Sequence, residues 1–229
     1  MVDYVGENPS GLTQRAQDFL RRCSSREDFD RGLVGADLDQ EIRAVYVQPN
    51  SKIVSTLEFV QERYGGLTYT SGLFDSDVFF TPVCEPEDPT EELEILYAVQ
   101  TGSPAGACLS ADGVVIVGVD YHEVPEFPSL DSLIECDSMF ELAEQQPATG
   151  TMHLAGLDRL RGAVELIEAS PFRLRRVPEA GGAHTYWFSG QSAYVFLSGV
   201  WGAIGFMPPS IRVWAGNQQE VSRILATFG

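Results

Sequence analysis

Positive charge is scarce in this sequence. The chain has 15 lysine and arginine residues against 33 aspartate and glutamate residues, and Lys52 is its single lysine. No lysine or arginine stands between Arg63 and Arg159, where 95 positions hold 18 acidic residues. The rest of the chain has 15 residues of each sign, so the whole net charge of −18 comes from this middle segment.

A surface with this charge repels phosphates and anionic membranes and attracts basic proteins. Nucleic acids and membranes are therefore poor candidate ligands, and a basic protein is a good one. Acidic residues also favour solubility without any partner, so a purely solubilising surface is the alternative explanation.

Cysteine and histidine are also rare, and neither follows a metal-binding pattern. The four cysteines are far apart, with no CxxC pair, and are Cys23, Cys84, Cys108 and Cys136. The three histidines form no HExxH or HxH motif. These absences predict no disulfide framework, metal or cofactor, and they favour buried free thiols at all four cysteines. The N-terminus lacks the pattern of a secretory signal peptide, which together with the sparse cysteine predicts a cytoplasmic protein.

Motifs of nucleophilic and phosphate chemistry are missing as well. The sequence has no GxSxG, and the glycines at 102 and 106 are not followed by the lysine of a phosphate-binding loop. The sequence therefore favours a protein that is not an enzyme.

Long apolar runs are nearly absent. The longest, Tyr194 to Met207, has 14 residues and ends at Pro208-Pro209, whereas a membrane-spanning helix needs about 20 apolar residues. Three glycines weaken it further as a helix. We expect buried strands here.

The remaining sequence alternates helical and strand patterns. Apolar spacing predicts helices around 12–22, 51–64, 129–142 and 154–167, and a final helix in which Asn217 and Glu220 have capping-box spacing. Strands are predicted at 42–47, 67–70, 78–81, 95–99 and 114–119, after Phe172, and at 211–214. Together these elements predict an α+β fold with a central mixed, largely antiparallel sheet packed by helices and a C-terminal β-rich extension. The expected organisation is an N-terminal helical segment (1–40), a core (41–146) and the extension (151–229), which possibly belongs to the same domain, with a break at 145–150.

The segment from Ser51 to about Glu144 resembles the SUKH superfamily, also called the SMI1/KNR4 family. The resemblance rests on a helix that ends in Glu62-Arg63-Tyr64-Gly65-Gly66-Leu67, an Asp112-Gly113 turn before a buried strand, and a helix that starts near Ser129. It implies an α+β fold and the role of many family members, which are bacterial immunity proteins that bind a toxin domain stoichiometrically and without a cofactor.

The proline-broken loop between the predicted strands at 78–81 and 95–99 is the first choice for partner contact. Its carboxylates are Glu85, Glu87, Asp88, Glu91, Glu92 and Glu94. Charged rims raise association rates more than affinity, so an aromatic anchor is also expected. The candidates are Phe74, Phe79, Tyr97 and Tyr121.

Two other function classes stay open. The cluster Asp120-Tyr121-His122-Glu123, with Cys136 nearby in sequence, could serve a small hydrolase or transferase, although a plain surface turn explains it better. A regulatory adaptor is the third possibility. Metal-dependent turnover that is lost in His122→Ala would favour the enzyme.

Overall fold

The protein is seen in a computed structural model that describes residues 3–47, 50, 52–89 and 92–228, except for the side chain of Tyr97. The described residues form both helices and antiparallel sheets, so the predicted α+β fold is confirmed. The chain divides into two compact units, Met1–Asp131 and Ser132–Gly229. Among the described residues, no helix combines the length and the apolar character that a bilayer crossing requires.

The first unit begins with three helices, α1 (Gln14–Cys23), α2 (Gly35–Val45) and α3 (Lys52–Tyr64). The Thr13 side chain accepts a hydrogen bond from the Ala16 amide and so starts α1. Both α1 and α3 bury the apolar positions that predicted them. Ser51, the expected cap of α3, lies outside the described residues.

The predicted strand at 42–47 is wrong, because residues up to Val45 belong to α2. Leu38 and Ile42 lie four positions apart and are both buried, which is the spacing of one helix face. Asp39 and Arg43 form an ion pair with the same spacing on the exposed side. Helical packing and pairing therefore override the local enrichment in strand-forming residues.

The first unit contains a seven-stranded antiparallel sheet. Its strands are β1 (Ser25–Arg26), β2 (Leu67–Ser71), β3 (Ser76–Phe79), β4 (Ile95–Thr101), β5 (Ala105–Leu109), β6 (Val115–Val119) and β7 (His122–Phe127). Their order in the sheet is their order in the chain, so every strand pairs with its neighbour in sequence.

Gly66 forms the corner between α3 and β2. Its φ is +81°, and a Cβ atom there would lie 2.1 Å from the Glu27 carbonyl oxygen. The Gly66 amide donates to the Phe80 carbonyl, and the Glu27 amide donates to the Gly66 carbonyl. Only glycine fits this left-handed, closely approached position, in agreement with the helix stop predicted at 65–66.

Three strands of this sheet, β1, β5 and β7, were not predicted. β1 has only two residues, too few for a periodic pattern. The small residues of β5 gave no strand signal, and Pro125 in β7 suggested the end of the sheet. Pro125 is tolerated because β7 stands last in the strand order and needs hydrogen bonds on one side only.

The second unit contains a five-stranded antiparallel sheet and most of the remaining helices. Its elements are α4 (Leu130–Ala143, whose first two residues precede the division), β8 (Ala148–His153), α5 (Leu157–Glu168), β9 (Arg175–Arg176), β10 (Thr185–Ser189), β11 (Ala193–Ser198), α6 (Val200–Ala203), β12 (Ser210–Ala215) and α7 (Gln218–Leu225). The strand order is β8-β12-β11-β10-β9. The helices predicted after Ser129 and near 154–167 are confirmed, and β8 crosses the break expected at 145–150.

This second sheet has two different apolar faces. One face carries Val195, Leu197 and Val213, which pack with residues of α5 and α7. The opposite face carries Trp187, Phe196 and Trp214, and their rings surround Phe140 of α4. Helices therefore cover the sheet on both sides.

The apolar run at 194–207 is only partly the buried strand that the sequence predicts. Its first residues belong to β11, but the chain then turns through α6, and Phe206 and Met207 are about half exposed. The glycines that weaken a long helix also prevent a continuous strand here. The predicted capping of the last helix is confirmed, because Asn217 Oδ1 accepts from the Glu220 amide at 2.9 Å.

Candidate functional site

The predicted contact loop lies between β3 and β4 and is fixed to the first unit at its start. Val83 and Leu96 form an isolated antiparallel bridge, in which the Val83 amide donates to the Leu96 carbonyl at 3.2 Å. Cys84 and Pro86 are buried just after it. The loop therefore leaves a fixed base at which Cys84 and Pro86 are buried while Glu85 and Glu87 are exposed.

Four of the six predicted carboxylates are exposed. They are Glu85, Glu87, Asp88 and Glu92. Glu91 lies outside the described residues. Glu94 is partly buried and accepts a hydrogen bond from another side chain.

That partner is Cys108 on β5. The Cys108 thiol donates to Glu94 Oε2 over 2.9 Å. Burial raises the pKa of the Cys108 thiol well above its usual range, and the Glu94 carboxylate raises it further. Burial also raises the pKa of Glu123, with a smaller contribution from the charge of Glu94. Glu94, Cys108 and Glu123 thus act on one another electrostatically, and their ligand atoms all lie within 4.8 Å of each other. We call these three residues the Glu94 cluster.

The strand register explains why the Glu94 cluster comes together. Ile95 pairs with Leu109, so the preceding residues, Glu94 and Cys108, are diagonal neighbours on the opposite face of the β4–β5 pair. Gly118 pairs with Gly106 on one side and with Glu123 on the other. Gly106, Gly118 and Glu123 therefore lie side by side across three strands. Cys108 is two positions after Gly106 and so lies on the same face of the sheet, next to this row.

Glycine at position 118 makes room for the Glu123 side chain. A Cβ atom on Gly118 would lie 2.6 Å from Cγ of Glu123. The carboxylate can therefore extend across the bare backbone of β6 toward Cys108.

A cavity of about 560 Å³ adjoins the Glu94 cluster. Its walls come from β4, β5 and the turn between β6 and β7, and include Thr101, Cys108, Asp120, Tyr121 and Glu123. The cavity is partly open to solvent and has both polar and apolar lining residues, so an ion, water or a polar side chain of a partner could enter it.

The sequence cluster 120–123 is only partly assembled. Asp120 and Glu123 line the same cavity, and Asp120 adopts a left-handed φ of 55° in the turn. His122 is exposed and is not among the cavity residues. Cys136, the other proposed neighbour, belongs to the second unit, where its sulfur accepts a hydrogen bond from Trp187 Nε1.

The candidate aromatic anchors fall into different environments. Tyr121 is 99% exposed at the rim of the cavity, whereas Phe74 is buried and Phe79 is partly buried. The Tyr97 side chain lies outside the described part of the structure. Tyr121 is therefore the described candidate that a partner could contact most fully.

The two units differ strongly in charge. Residues 1–131 contain 24 acidic and 8 basic residues, a net of −16, while residues 132–229 contain 9 acidic and 7 basic residues, a net of −2. The acidic field therefore comes from the unit that also carries the exposed loop and Tyr121.

The four thiols have different exposures, which corrects the expectation that all are buried. Cys23 is exposed, and the other three are buried. Burial, together with the charge of Glu85, raises the pKa of Cys84 to about 11. A thiol with a raised pKa stays protonated at pH 8 and is a poor nucleophile.

We therefore expect one fast-reacting thiol in the native protein and four in denaturant, measured by titration with a chromogenic disulfide at pH 8. Cys23→Ser should remove the fast reaction. A second fast thiol in that variant would show that a buried cysteine is accessible.

A scan against family models, a search of curated proteins and a search of solved structures each found no match to this chain.

Proposed function

We propose that this chain is an intracellular, cytoplasmic protein-binding module that neutralises a basic toxin domain by stoichiometric binding, as an immunity protein of the SUKH type. The observation that carries the proposal is the concentration of negative charge in the first unit, with an exposed acidic loop on a fixed base. Such a field accelerates encounter with a basic protein and disfavours other partners.

The proposed mechanism requires no chemistry in this chain. Toxin domains that act on nucleic acids need a positively charged surface to hold phosphates. An acidic protein that covers this surface excludes the substrate, because both compete for the same basic residues. Glu85, Glu87, Asp88 and Glu92 supply exposed charge for this contact.

Affinity requires more than charge, since exposed charges mainly raise the association rate. Tyr121 is suited to supply it, because large aromatic side chains often dominate binding energy at the centre of an interface. Its nearly complete exposure makes the whole ring available to a partner. Glu94 is the last residue of the loop, and its neighbour Glu123 lines the cavity that Tyr121 borders, so the loop and the aromatic ring belong to adjoining surfaces.

The first test is an affinity pull-down from cells of the native source, followed by titration of the purified partner at low and high salt. We expect a stoichiometric complex with one basic protein, loss of that protein's toxic activity, and weaker binding at high salt because exposed charges are screened over about 8 Å at 0.15 M.

Charge reversal identifies the contact surface. Glu87→Lys together with Glu92→Lys should slow association about tenfold at low salt, within the range of electrostatic rate enhancement. The matched control, Glu144→Lys with Glu165→Lys, makes the same charge change at exposed positions of the second unit and should have a much smaller effect. Equal effects of the two pairs would contradict contact at the loop, and a complex that forms equally well at both salt concentrations would contradict the electrostatic mechanism.

A further inference from the structure

The Glu94 cluster brings together one sulfur and two carboxylate groups in the first sheet: Cys108 lies on β5, Glu123 lies on β7, and Glu94 directly precedes β4. Sulfur and oxygen ligands in this combination suit divalent cations of intermediate softness such as Zn²⁺ or Co²⁺, whereas Mg²⁺ and Ca²⁺ prefer oxygen alone. We propose that Glu94, Cys108 and Glu123 bind one such cation, with water from the adjoining cavity completing its coordination. The proposal does not depend on the proposed toxin binding.

The spacing of the three side chains is close to that of a ligand set. Zinc binds thiolate sulfur at about 2.3 Å and carboxylate oxygen at up to about 2.2 Å, so two ligand atoms on one ion lie at most about 4.5 Å apart. Here the ligand atoms lie within 4.8 Å of one another, and Cys108 Sγ and Glu94 Oε2 are 2.9 Å apart. Small side-chain rotations are enough to bring all three around one ion.

The local charge also favours a cation. No lysine or arginine occurs from residue 64 to residue 158. Within the described residues, none of the ion pairs seen involves Glu94 or Glu123. The two carboxylates therefore lie close together without a basic side chain to offset their repulsion, and a bound cation would supply the missing charge.

The backbone supports the arrangement independently of the side chains. Cys108 lies within β5, between two paired strands, and the glycines at 106 and 118 leave the path from Glu123 to Cys108 open. Sites held by strands are positioned more firmly than sites on loops, and two of the three ligands, Cys108 and Glu123, are strand residues. The cavity beside Cys108 and Glu123 provides both an entry path and space for water ligands.

Metal binding must displace the proton that Cys108 now shares with Glu94. The thiol S–H bond breaks, the proton leaves to solvent, and the sulfur electron pair binds the cation, so charge and atoms balance. The Cys108–Glu94 hydrogen bond is thus the metal-free arrangement of the same two ligands.

The test uses the full chain carrying Cys23→Ser, so that the exposed thiol cannot bind metal. After treatment with a chelator, the protein is titrated with Co²⁺ and followed by near-ultraviolet absorption. We expect a thiolate-to-cobalt charge-transfer band that saturates at one ion per chain, is abolished by Zn²⁺ and is unaffected by Mg²⁺. Absence of the band would overturn the proposal.

Variants assign the ligands. Cys108→Ser should abolish the band and weaken Zn²⁺ binding, measured by calorimetry, at least about 100-fold. Glu123→Gln changes an exposed side chain that is compatible with the fold, and should weaken Zn²⁺ binding about tenfold or more. The matched controls, Cys84→Ser and Glu92→Gln, should leave the affinity unchanged. If Cys108→Ser does not fold, the Zn²⁺ affinity of Glu123→Gln decides the question. An unchanged Zn²⁺ affinity in that variant overturns the proposed site.

Discussion

Trp187→Ala is expected to lower the free energy of unfolding of the second unit by about 3–5 kcal/mol, the usual range for removing a large aromatic side chain from a core. Trp187 is fully buried on β10. Its ring stacks on Trp214 at 5.5 Å and meets Phe140 edge-on at 4.8 Å. Its Nε1 also donates to the sulfur of Cys136 over 3.4 Å. The substitution removes these contacts and leaves a cavity.

Urea denaturation followed by far-UV circular dichroism measures this loss. Trp187→Phe keeps an aromatic ring in place and should cost clearly less, because it leaves a smaller cavity. Trp201→Ala is the control for tryptophan removal at a partly exposed position outside this cluster. A Trp187→Ala midpoint close to that of Trp201→Ala would show that the aromatic cluster contributes little.

Arg63→Ala should release the N-terminal segment and lower the stability of the first unit by about 3 kcal/mol, since bonds from a charged donor contribute roughly 1.5–3 kcal/mol each and are not additive. The side chain is 7% exposed at the end of α3. One terminal nitrogen donates to the carbonyls of Asp3 and Asn8 at 3.1 and 2.9 Å. The other donates to the carbonyl of Ser10 at 2.7 Å.

Amide hydrogen exchange over residues 3–12 locates this effect, and urea denaturation gives its size. Arg63→Lys should restore only part of the stability, because a single ammonium group cannot reach all three carbonyls in the fork geometry of a guanidinium. Arg43→Ala, at an exposed ion pair, should leave the midpoint unchanged. Unaltered exchange in Arg63→Ala would refute the tethering role.

The periodic patterns in the sequence predicted most helices and several strands, but not the tertiary partners of individual side chains. Arg63 illustrates the difference. Its position in the last turn of α3 and the glycine stop after it were predicted, because both depend on local geometry. Its three carbonyl partners lie more than 50 positions earlier, and no local pattern indicates them.

The candidate site shows the same limit. Glu94 was predicted to be a loop carboxylate because it ends an acidic, proline-broken stretch. Its pairing with Cys108 depends on the existence of β5, whose sequence Ala-Gly-Ala-Cys-Leu lacks the alternation typical of a strand. Once β5 is known, the Ile95–Leu109 pair places Glu94 and Cys108 on one face. The sequence therefore failed to predict the strand, although it shows both ligand residues plainly.

The strand order of the two sheets also affects how the chain would fold while it is being synthesised. In the first sheet the strands from β4 to β7 pair across short connections, and local pairing of this kind favours rapid folding. In the second sheet β8 pairs with β12, and Ala148 lies opposite Ala215. The edge of β8 therefore stays unpaired until β12, which comes much later in the chain, has left the ribosome. During that interval the unpaired edge of β8 is a site at which a nascent chain can aggregate. We therefore expect molecular chaperones to protect the second unit more than the first.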